Sequence, residues 1–163
     1  MKKLLYRKLS APISVQVEIT ERCNNSCIYC YNHWREKDKT SFTSLSVDNL
    51  SHICDQLISS NVFAVTLTGG EPLLLWRQLS AVIDRLESLN ISVSINSNLT
   101  IFTQEIAQAL KESGLRGILT SFLSYDKLIH DQLTNRVGSW KQAIKGIEIA
   151  VLMVLILAPI WFY

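Results

Sequence analysis

The sequence alternates short apolar segments with amphipathic ones, and this alternation constrains the fold more than any other feature. Segment 13–19 alternates apolar and polar residues at a period of two, which is typical of a strand with one buried face. Similar short runs predict further strands at 62–67, 91–95 and 117–122. Apolar residues at helical spacing predict helices within 46–60, 76–89, 103–113 and 139–147. A strand followed by a helix four times predicts an α/β fold whose parallel strands are joined by right-handed helical crossovers.

Residues that are typical of helix ends indicate where the predicted helices begin and end. Ser46 and Thr103 stand where N-caps are expected, because their hydroxyl oxygens can accept hydrogen bonds from the first free backbone N–H groups. Ser139 is likewise expected to be the N-cap of the last predicted helix. Asn61 ends the first helix, and Gly114 stops the third at a position that tolerates positive φ.

The unusual residue clusters of this chain all follow predicted strands. In α/β folds with parallel strands, the carboxyl ends of the strands lie at one edge, and ligands gather there. The clusters are 23–30, 69–72, 96–98 and 121–126. The sequence therefore predicts that four strand ends converge on one site.

Length and charge limit the alternatives. The 163 residues suggest one domain with a real core, but they are short for an eight-unit barrel of about 250 residues. A net charge of +2 does not indicate nucleic-acid binding, and we interpret residues 1–12 as a solvated basic arm. Arg7 and Lys8 interrupt the only apolar run near the N-terminus, so no secretory signal is predicted and the expected location is the cytoplasm.

Three cysteines lie within eight residues. In the reducing cytoplasm, Cys23, Cys27 and Cys30 are expected to bind a metal rather than to form disulfides. Three thiolates leave one iron of a four-iron, four-sulfur cluster open to another ligand. The alternative is a structural zinc site with a distant fourth ligand, for which His33 is the nearest candidate. Cys54 falls on the apolar stripe of the first helix and is predicted to be a core residue.

The C-terminal segment 149–163 is apolar and carries no charge. It is shorter than the roughly 20 apolar residues of a membrane span, and it contains Pro159. Three interpretations remain open: the start of a fifth buried strand in a truncated chain, an out-of-frame tail, or a short membrane anchor. Lys141 and Lys145 lie just before this segment, where positive residues flank the cytoplasmic end of a membrane anchor.

Two motifs carry a resemblance to a known family. Segment 18–31, with its three cysteines, resembles the cluster loop of the radical S-adenosylmethionine (radical SAM) enzymes. Segment 68–72 resembles the second motif of the same superfamily. Segment 121–126, together with His130-Asp131 and Gly138-Ser139-Trp140, resembles the SPASM subgroup of peptide-modifying maturases.

The resemblance covers about residues 14–146 and implies a partial TIM-type (β/α) barrel. The family barrel has six strand–helix units, and this sequence carries about four. Residues 13–148 would form the radical SAM core, followed by the apolar tail. No cysteine follows Cys54, so the cysteine-rich C-terminal domain of the subgroup is not part of this sequence. We therefore expect a C-terminally truncated member of the family.

The resemblance also implies the site residues and their roles. Three cysteines would bind three irons of a [4Fe-4S] cluster, and S-adenosylmethionine would chelate the fourth. Tyr29 would lie near the adenine, Gly69 and Gly70 would let the backbone approach the methionyl group, and Glu71 would contact its ammonium. Asn96 and Ser121 would contact the ribose and the carboxylate.

The implied function is reductive cleavage of S-adenosylmethionine to a 5′-deoxyadenosyl radical that acts on a peptide or a small molecule. An external flavodoxin- or ferredoxin-like protein would supply the electron. No general acid or base is nominated, and His52 and His130 are interpreted as surface or packing residues. The alternatives are a non-catalytic remnant that binds an iron–sulfur cluster, and a zinc-binding module.

Overall fold

A computed structural model describes residues 11–32, 43–153 and 156–160. Most of the predicted basic arm and the zinc-ligand candidate His33 lie outside the described residues.

In the described part of the chain, five strands form one sheet in sequence order, and every neighbouring pair is parallel. The strands are β1 (Ser14–Thr20), β2 (Ala64–Gly69), β3 (Ser92–Ser97), β4 (Gly117–Ser121) and β5 (Ile156–Ile160). The predicted α/β fold with parallel strands is confirmed, and the first four strands lie within two residues of their predicted limits. Their order brings the carboxyl ends of β1 to β4 side by side at one edge.

Among the described residues, five α-helices connect or follow the strands. They are α1 (Val47–Ser59), α2 (Trp76–Glu87), α3 (Gln104–Glu112), α4 (Lys127–Thr134) and α5 (Ser139–Leu152). A short 3₁₀ turn, Pro72–Leu75, precedes α2. The sequence pattern did not predict α4. This helix begins after Asp126, whose side chain accepts hydrogen bonds from two backbone N–H groups.

Most of the predicted helix ends are confirmed. Ser46 and Thr103 accept backbone hydrogen bonds as N-caps of α1 and α3. Asn61 and Gly114 adopt positive φ just after these helices. The prediction for Ser139 is wrong: the N-cap of α5 is the residue before it, and Ser139 is the fully buried first residue of the helix.

The two faces of the sheet differ in polarity. Val65, Val93 and Ile95 point into the core, where they are fully buried against apolar helix residues. The intervening Thr66 and Ser94 lie on the other face, where their hydroxyl oxygens are 3.1 Å apart. This alternation leaves a polar sheet surface that leads toward the carboxyl ends of the strands.

The apolar C-terminal segment contains a strand. Helix α5 extends to Leu152, beyond the predicted limit of the core, and β5 then pairs in parallel with β4. Of the three interpretations of this segment, the structure shows the fifth strand. Among the helices of the described residues, none has the length and apolarity that a membrane crossing requires.

Candidate functional site

A cavity of about 320 Å³ lies at the carboxyl ends of the strands. Residues that follow β1, β2, β3 and β4 all contribute to its lining. It brings together all nine predicted site residues: Cys23, Cys27, Tyr29, Cys30, Gly69, Gly70, Glu71, Asn96 and Ser121. The side chains predicted to converge from four strand ends therefore face one space.

The three cysteines of the β1 loop form no disulfides, and each is partly buried. Burial raises the pKa of the Cys27 thiol, a hydrogen bond with Tyr29 opposes this effect, and the nearby Cys23 and Cys30 raise the pKa further. A negative charge on one of these sulfur atoms therefore disfavours a negative charge on the others. A cationic group bound between them would remove this repulsion and favour the thiolates.

Helix α4 holds the backbone of the cysteine loop. The Ser26 N–H donates to the Thr134 carbonyl (3.2 Å), and the Ile28 N–H donates to the Leu133 carbonyl (3.0 Å). The last carbonyls of a helix have no partner within the helix, so the loop satisfies them while it is fixed in place. The unpredicted helix therefore positions the predicted cysteines.

Asn24 links the cysteine loop to the end of β3. Its amide nitrogen donates to the Thr100 hydroxyl (2.8 Å), and its side-chain oxygen accepts from the Asn98 amide (2.9 Å). The same Asn98 nitrogen lies 3.9 Å from the Cys23 sulfur. From the segment between α4 and α5, Arg136 donates to the Asn24 carbonyl at 2.8 Å.

Gly69 is required where β2 comes closest to β1. Its φ of +131° is rarely adopted by residues with a side chain, and a Cβ here would overlap the Thr20 carbonyl oxygen. The next amide, that of Gly70, donates to the same oxygen at 2.6 Å. The register of the two strands shifts at this point, and the glycine makes that shift possible.

Glu71 is almost fully buried, and its carboxylate joins the end of β2 to the end of β3. One oxygen accepts from the Leu73 N–H (3.0 Å) and the Ser97 hydroxyl (2.8 Å), and the other accepts from the Asn98 N–H (2.9 Å). The carboxylate lines the cavity while it bonds to the protein itself. The contact with a methionyl ammonium stays a prediction.

Two functional candidates from α4 were not predicted. His130 and Thr134 line the cavity and are almost completely buried. The ring nitrogen Nε2 of His130 and the side-chain oxygen of Asn96 have no hydrogen-bond partner within the described residues. His130 lies in a segment singled out in the sequence, but its burial depends on a helix that the pattern did not reveal.

No group of three or more His, Cys, Asp or Glu side chains in the described ranges is arranged to hold a metal ion. A single zinc ion would draw its thiolates into one coordination sphere at about 2.3 Å. A cluster distributes its ligands over several irons, so they do not share one centre. Three thiols that form no disulfides line one cavity with polar side chains, and this set of donors fits an iron–sulfur cluster with a further polar ligand.

The family model described as "Radical SAM superfamily" matches residues 17–152 of this sequence. The chain belongs to the radical SAM superfamily. The matched range includes all nine predicted site residues and the whole cavity lining. Membership in this superfamily implies S-adenosylmethionine, an iron–sulfur cluster and radical chemistry.

The chain is also similar to individual curated proteins. A protein of Methanocella arvoryzae named "Probable GTP 3',8-cyclase" is 31% identical over 138 residues, which are 85% of this chain and 43% of that protein. The chain therefore spans less than half the length of this curated relative.

Two solved structures show the same fold. The structure of HydG, a maturase of the [FeFe]-hydrogenase, matches with a TM-score of 0.74 at 15% identity, over 94% of this chain and 36% of that one. Streptococcus suis SuiB bound to the precursor peptide SuiA also matches with a TM-score of 0.74, at 18% identity over 93% of this chain and 33% of that one. The chain is similar to a part of these longer proteins.

Proposed function

We propose that the cavity binds a [4Fe-4S] cluster through Cys23, Cys27 and Cys30, together with S-adenosylmethionine. The observation that carries this proposal is that the three cysteine thiols line one cavity together with Gly69, Gly70 and Glu71. When bound, the cluster supplies the electron for reductive cleavage of S-adenosylmethionine to methionine and a 5′-deoxyadenosyl radical. A flavodoxin- or ferredoxin-like protein is the proposed external electron donor.

The residues of the chain bind and orient the ligand in this proposal. Gly69 and Gly70 let the backbone approach the methionyl group, since neither carries a Cβ. Tyr29, which lines the cavity beside Cys27, packs near the adenine. Asn96 at the end of β3 and Ser121 at the end of β4 also line the cavity and would contact the ribose and the carboxylate.

A small molecule is the favoured substrate class. Relatives named as GTP 3',8-cyclases reach 33% identity with this chain, whereas SuiB with its precursor peptide reaches 18%. A peptide is the second candidate, supported by the similarity to the SuiB complex. Deuterium transfer into 5′-deoxyadenosine distinguishes the two: label from deuterated GTP supports the small molecule, and label from a deuterated peptide supports the alternative.

The cluster proposal is tested by metal analysis of anaerobically reconstituted protein. Cys27→Ser should lose most of its iron and sulfide, because one of three protein ligands is gone. Cys54→Ala is the matched control, since this thiol is buried in the core on α1 and does not line the cavity. Equal iron content in the two variants, or zinc in place of iron and sulfide, would contradict the proposal.

A further inference from the structure

The side chain of Asn98, just after β3, has an orientation that its neighbours determine. Its oxygen accepts from the Thr100 backbone N–H (2.9 Å) and from the Thr100 hydroxyl (2.7 Å). Because a backbone N–H can only donate, the side-chain atom that faces it must be the oxygen of the amide. The amide nitrogen of Asn98 therefore points the other way, toward the cysteine loop.

A closed ring of hydrogen bonds supports the same orientation. The Asn98 amide nitrogen donates to the side-chain oxygen of Asn24 (2.9 Å). The Asn24 amide nitrogen donates to the Thr100 hydroxyl (2.8 Å), and this hydroxyl donates in turn to the Asn98 oxygen. Every donor in the ring meets an acceptor, so the three side chains hold one another in place.

The Asn98 amide has a second N–H, and the Cys23 sulfur lies 3.9 Å from its nitrogen. This distance allows a hydrogen bond, because sulfur is a larger atom than oxygen. The backbone N–H of Asn25 donates to the same sulfur at 3.5 Å. Cys23, Asn25 and Asn98 all line the cavity. One of the three proposed cluster ligands therefore has two N–H donors beside its sulfur.

Hydrogen bonds to the ligand sulfurs are among the factors that set the reduction potential of an iron–sulfur cluster. Reduction adds one negative charge to the cluster and its thiolates, and an N–H group that points at a sulfur stabilises negative charge there. A donor beside a ligand sulfur therefore favours the reduced form. The loss of such a donor should make the cluster harder to reduce.

We propose that the side-chain amide of Asn98 donates a hydrogen bond to the Cys23 sulfur when the cluster is bound, and that this bond raises the reduction potential of the cluster. The inference rests on the proposed function and deepens it, because it assigns a redox role to a residue outside the cysteine and glycine motifs. Asn98 acts through Cys23, so it is a positioning residue. Asn24 and Thr100 orient its amide.

Two substitutions of Asn98 test the donor. Asn98→Asp keeps an oxygen toward Thr100 and replaces the amide nitrogen with a second carboxylate oxygen. Asn98→Ala removes the donor without adding a charge. The measurement is a redox titration of the anaerobically reconstituted protein, with the reduced cluster quantified by EPR. Each cluster takes up one electron in this titration, and dithionite supplies it.

We expect both variants to have a lower midpoint potential than the wild type. At the wild-type midpoint, the ratio of reduced to oxidised cluster should fall about fivefold in Asn98→Ala, as for the loss of one hydrogen bond. It should fall further in Asn98→Asp, because the added negative charge also opposes reduction. An unchanged midpoint in Asn98→Ala overturns the proposal even if Asn98→Asp is shifted, since the charge alone would explain that shift.

Thr100→Val is the matched control. Valine has nearly the same shape as threonine and lacks the hydroxyl that closes the ring, but its backbone N–H still faces the Asn98 oxygen. We expect this variant to unfold at a lower urea concentration and to keep the wild-type midpoint potential. A shift as large as that of Asn98→Ala would overturn the proposal, because a loosened network would then explain both.

If neither Asn98 variant retains a cluster, pulsed EPR of the reduced wild-type cluster provides the test. The protein is prepared with asparagine that carries ¹⁵N only at the side-chain amide. A ¹⁵N coupling to the cluster that persists in Asn24→Asp and in Asn25→Asp, which remove the neighbouring amides, supports the proposal. No coupling in the wild type, or a coupling that either substitution abolishes, overturns it.

Assembly of the cluster separates this inference from the proposed function. A wild-type chain that assembles an iron–sulfur cluster but shows none of the expected shifts would overturn the role of Asn98 alone. A wild-type chain that assembles no iron–sulfur cluster would overturn the proposed function and this inference with it.

Discussion

Gly69 and Gly138 both adopt positive φ, but only Gly69 has backbone atoms where a Cβ would lie. Alanine substitutions at the two positions therefore separate the free-energy cost of a positive φ from the cost of a steric overlap with the backbone. We expect Gly138→Ala to lower the free energy of unfolding by about 1 kcal/mol, the usual cost of this conformation. Gly69→Ala should lower it by about 2–4 kcal/mol, because the Cβ also meets the Thr20 carbonyl. Urea unfolding measures both, and equal losses would show that the contact does not matter.

Glu71→Gln tests the buried carboxylate. Three donors from Leu73, Ser97 and Asn98 point at its two oxygens, and a glutamine would turn an NH₂ group toward at least one of them. We expect a loss of about 2 kcal/mol in the free energy of unfolding. The exposed Glu105→Gln should change it by less than about 0.5 kcal/mol. A loss at Glu71 no larger than that at Glu105 would argue against the network.

The buried histidine predicts a pH dependence of stability. The pKa of His130 is lowered from its ordinary value of 6.5, so below about that pH the unfolded chain binds more protons than the folded one. The contribution of neutral His130 to the free energy of unfolding is therefore fully present above about pH 6.5, and it is lost as the pH falls below that value. Asp131, the charged group beside the ring, has its pKa lowered from 3.8 and adds a further loss only in stronger acid.

The measurement is the free energy of unfolding in urea between about pH 7 and pH 5. We expect a shallower slope for His130→Asn than for the wild type, because the variant has no proton to take up at this position. Parallel slopes would contradict the prediction.

At the scale of elements, pattern and caps predicted the first four strands and four helices, since each has a period that the sequence shows directly. Helix α4 was missed because its eight residues include His130 and Asp131, two polar residues that are buried. Their burial depends on contacts with Ser139 and the cavity, which local sequence does not encode. The same tertiary contacts explain why Ser139 lies inside α5 rather than capping it.

The link between the α4–α5 segment and the cysteine loop gives a prediction for Arg136. Its guanidinium donates to the Asn24 carbonyl at 2.8 Å and to the Asn25 side chain at 3.3 Å. Arg136→Ala should lower the free energy of unfolding by about 1.5–3 kcal/mol, as expected for charged hydrogen bonds, and should speed the release of iron.

The control is Arg77→Ala. Arg77 forms an exposed ion pair with Glu105 at 3.9 Å, and its loss should cost less than about 1 kcal/mol and leave iron release unchanged. Iron release at the same rate in both variants would show that the α4–α5 segment does not hold the loop.

At the scale of the whole molecule, the sequence predicted the parallel α/β architecture and the gathering of nine site residues at one edge. This was possible because parallel strands place their carboxyl ends together, whatever the details of packing. The strand after α5 was only one of three interpretations, since an apolar run of this length has no period that distinguishes a strand from a buried helix. The strand order therefore explains why residues that are distant in the sequence line one cavity.

Reductive cleavage of S-adenosylmethionine tests the central claim most directly. The anaerobically reconstituted chain is incubated with dithionite and S-adenosylmethionine, and 5′-deoxyadenosine is quantified. We predict that the wild-type chain and Cys54→Ala form 5′-deoxyadenosine and that Cys27→Ser does not. A wild-type chain that carries a complete cluster and binds S-adenosylmethionine, yet forms no 5′-deoxyadenosine, would contradict the claim.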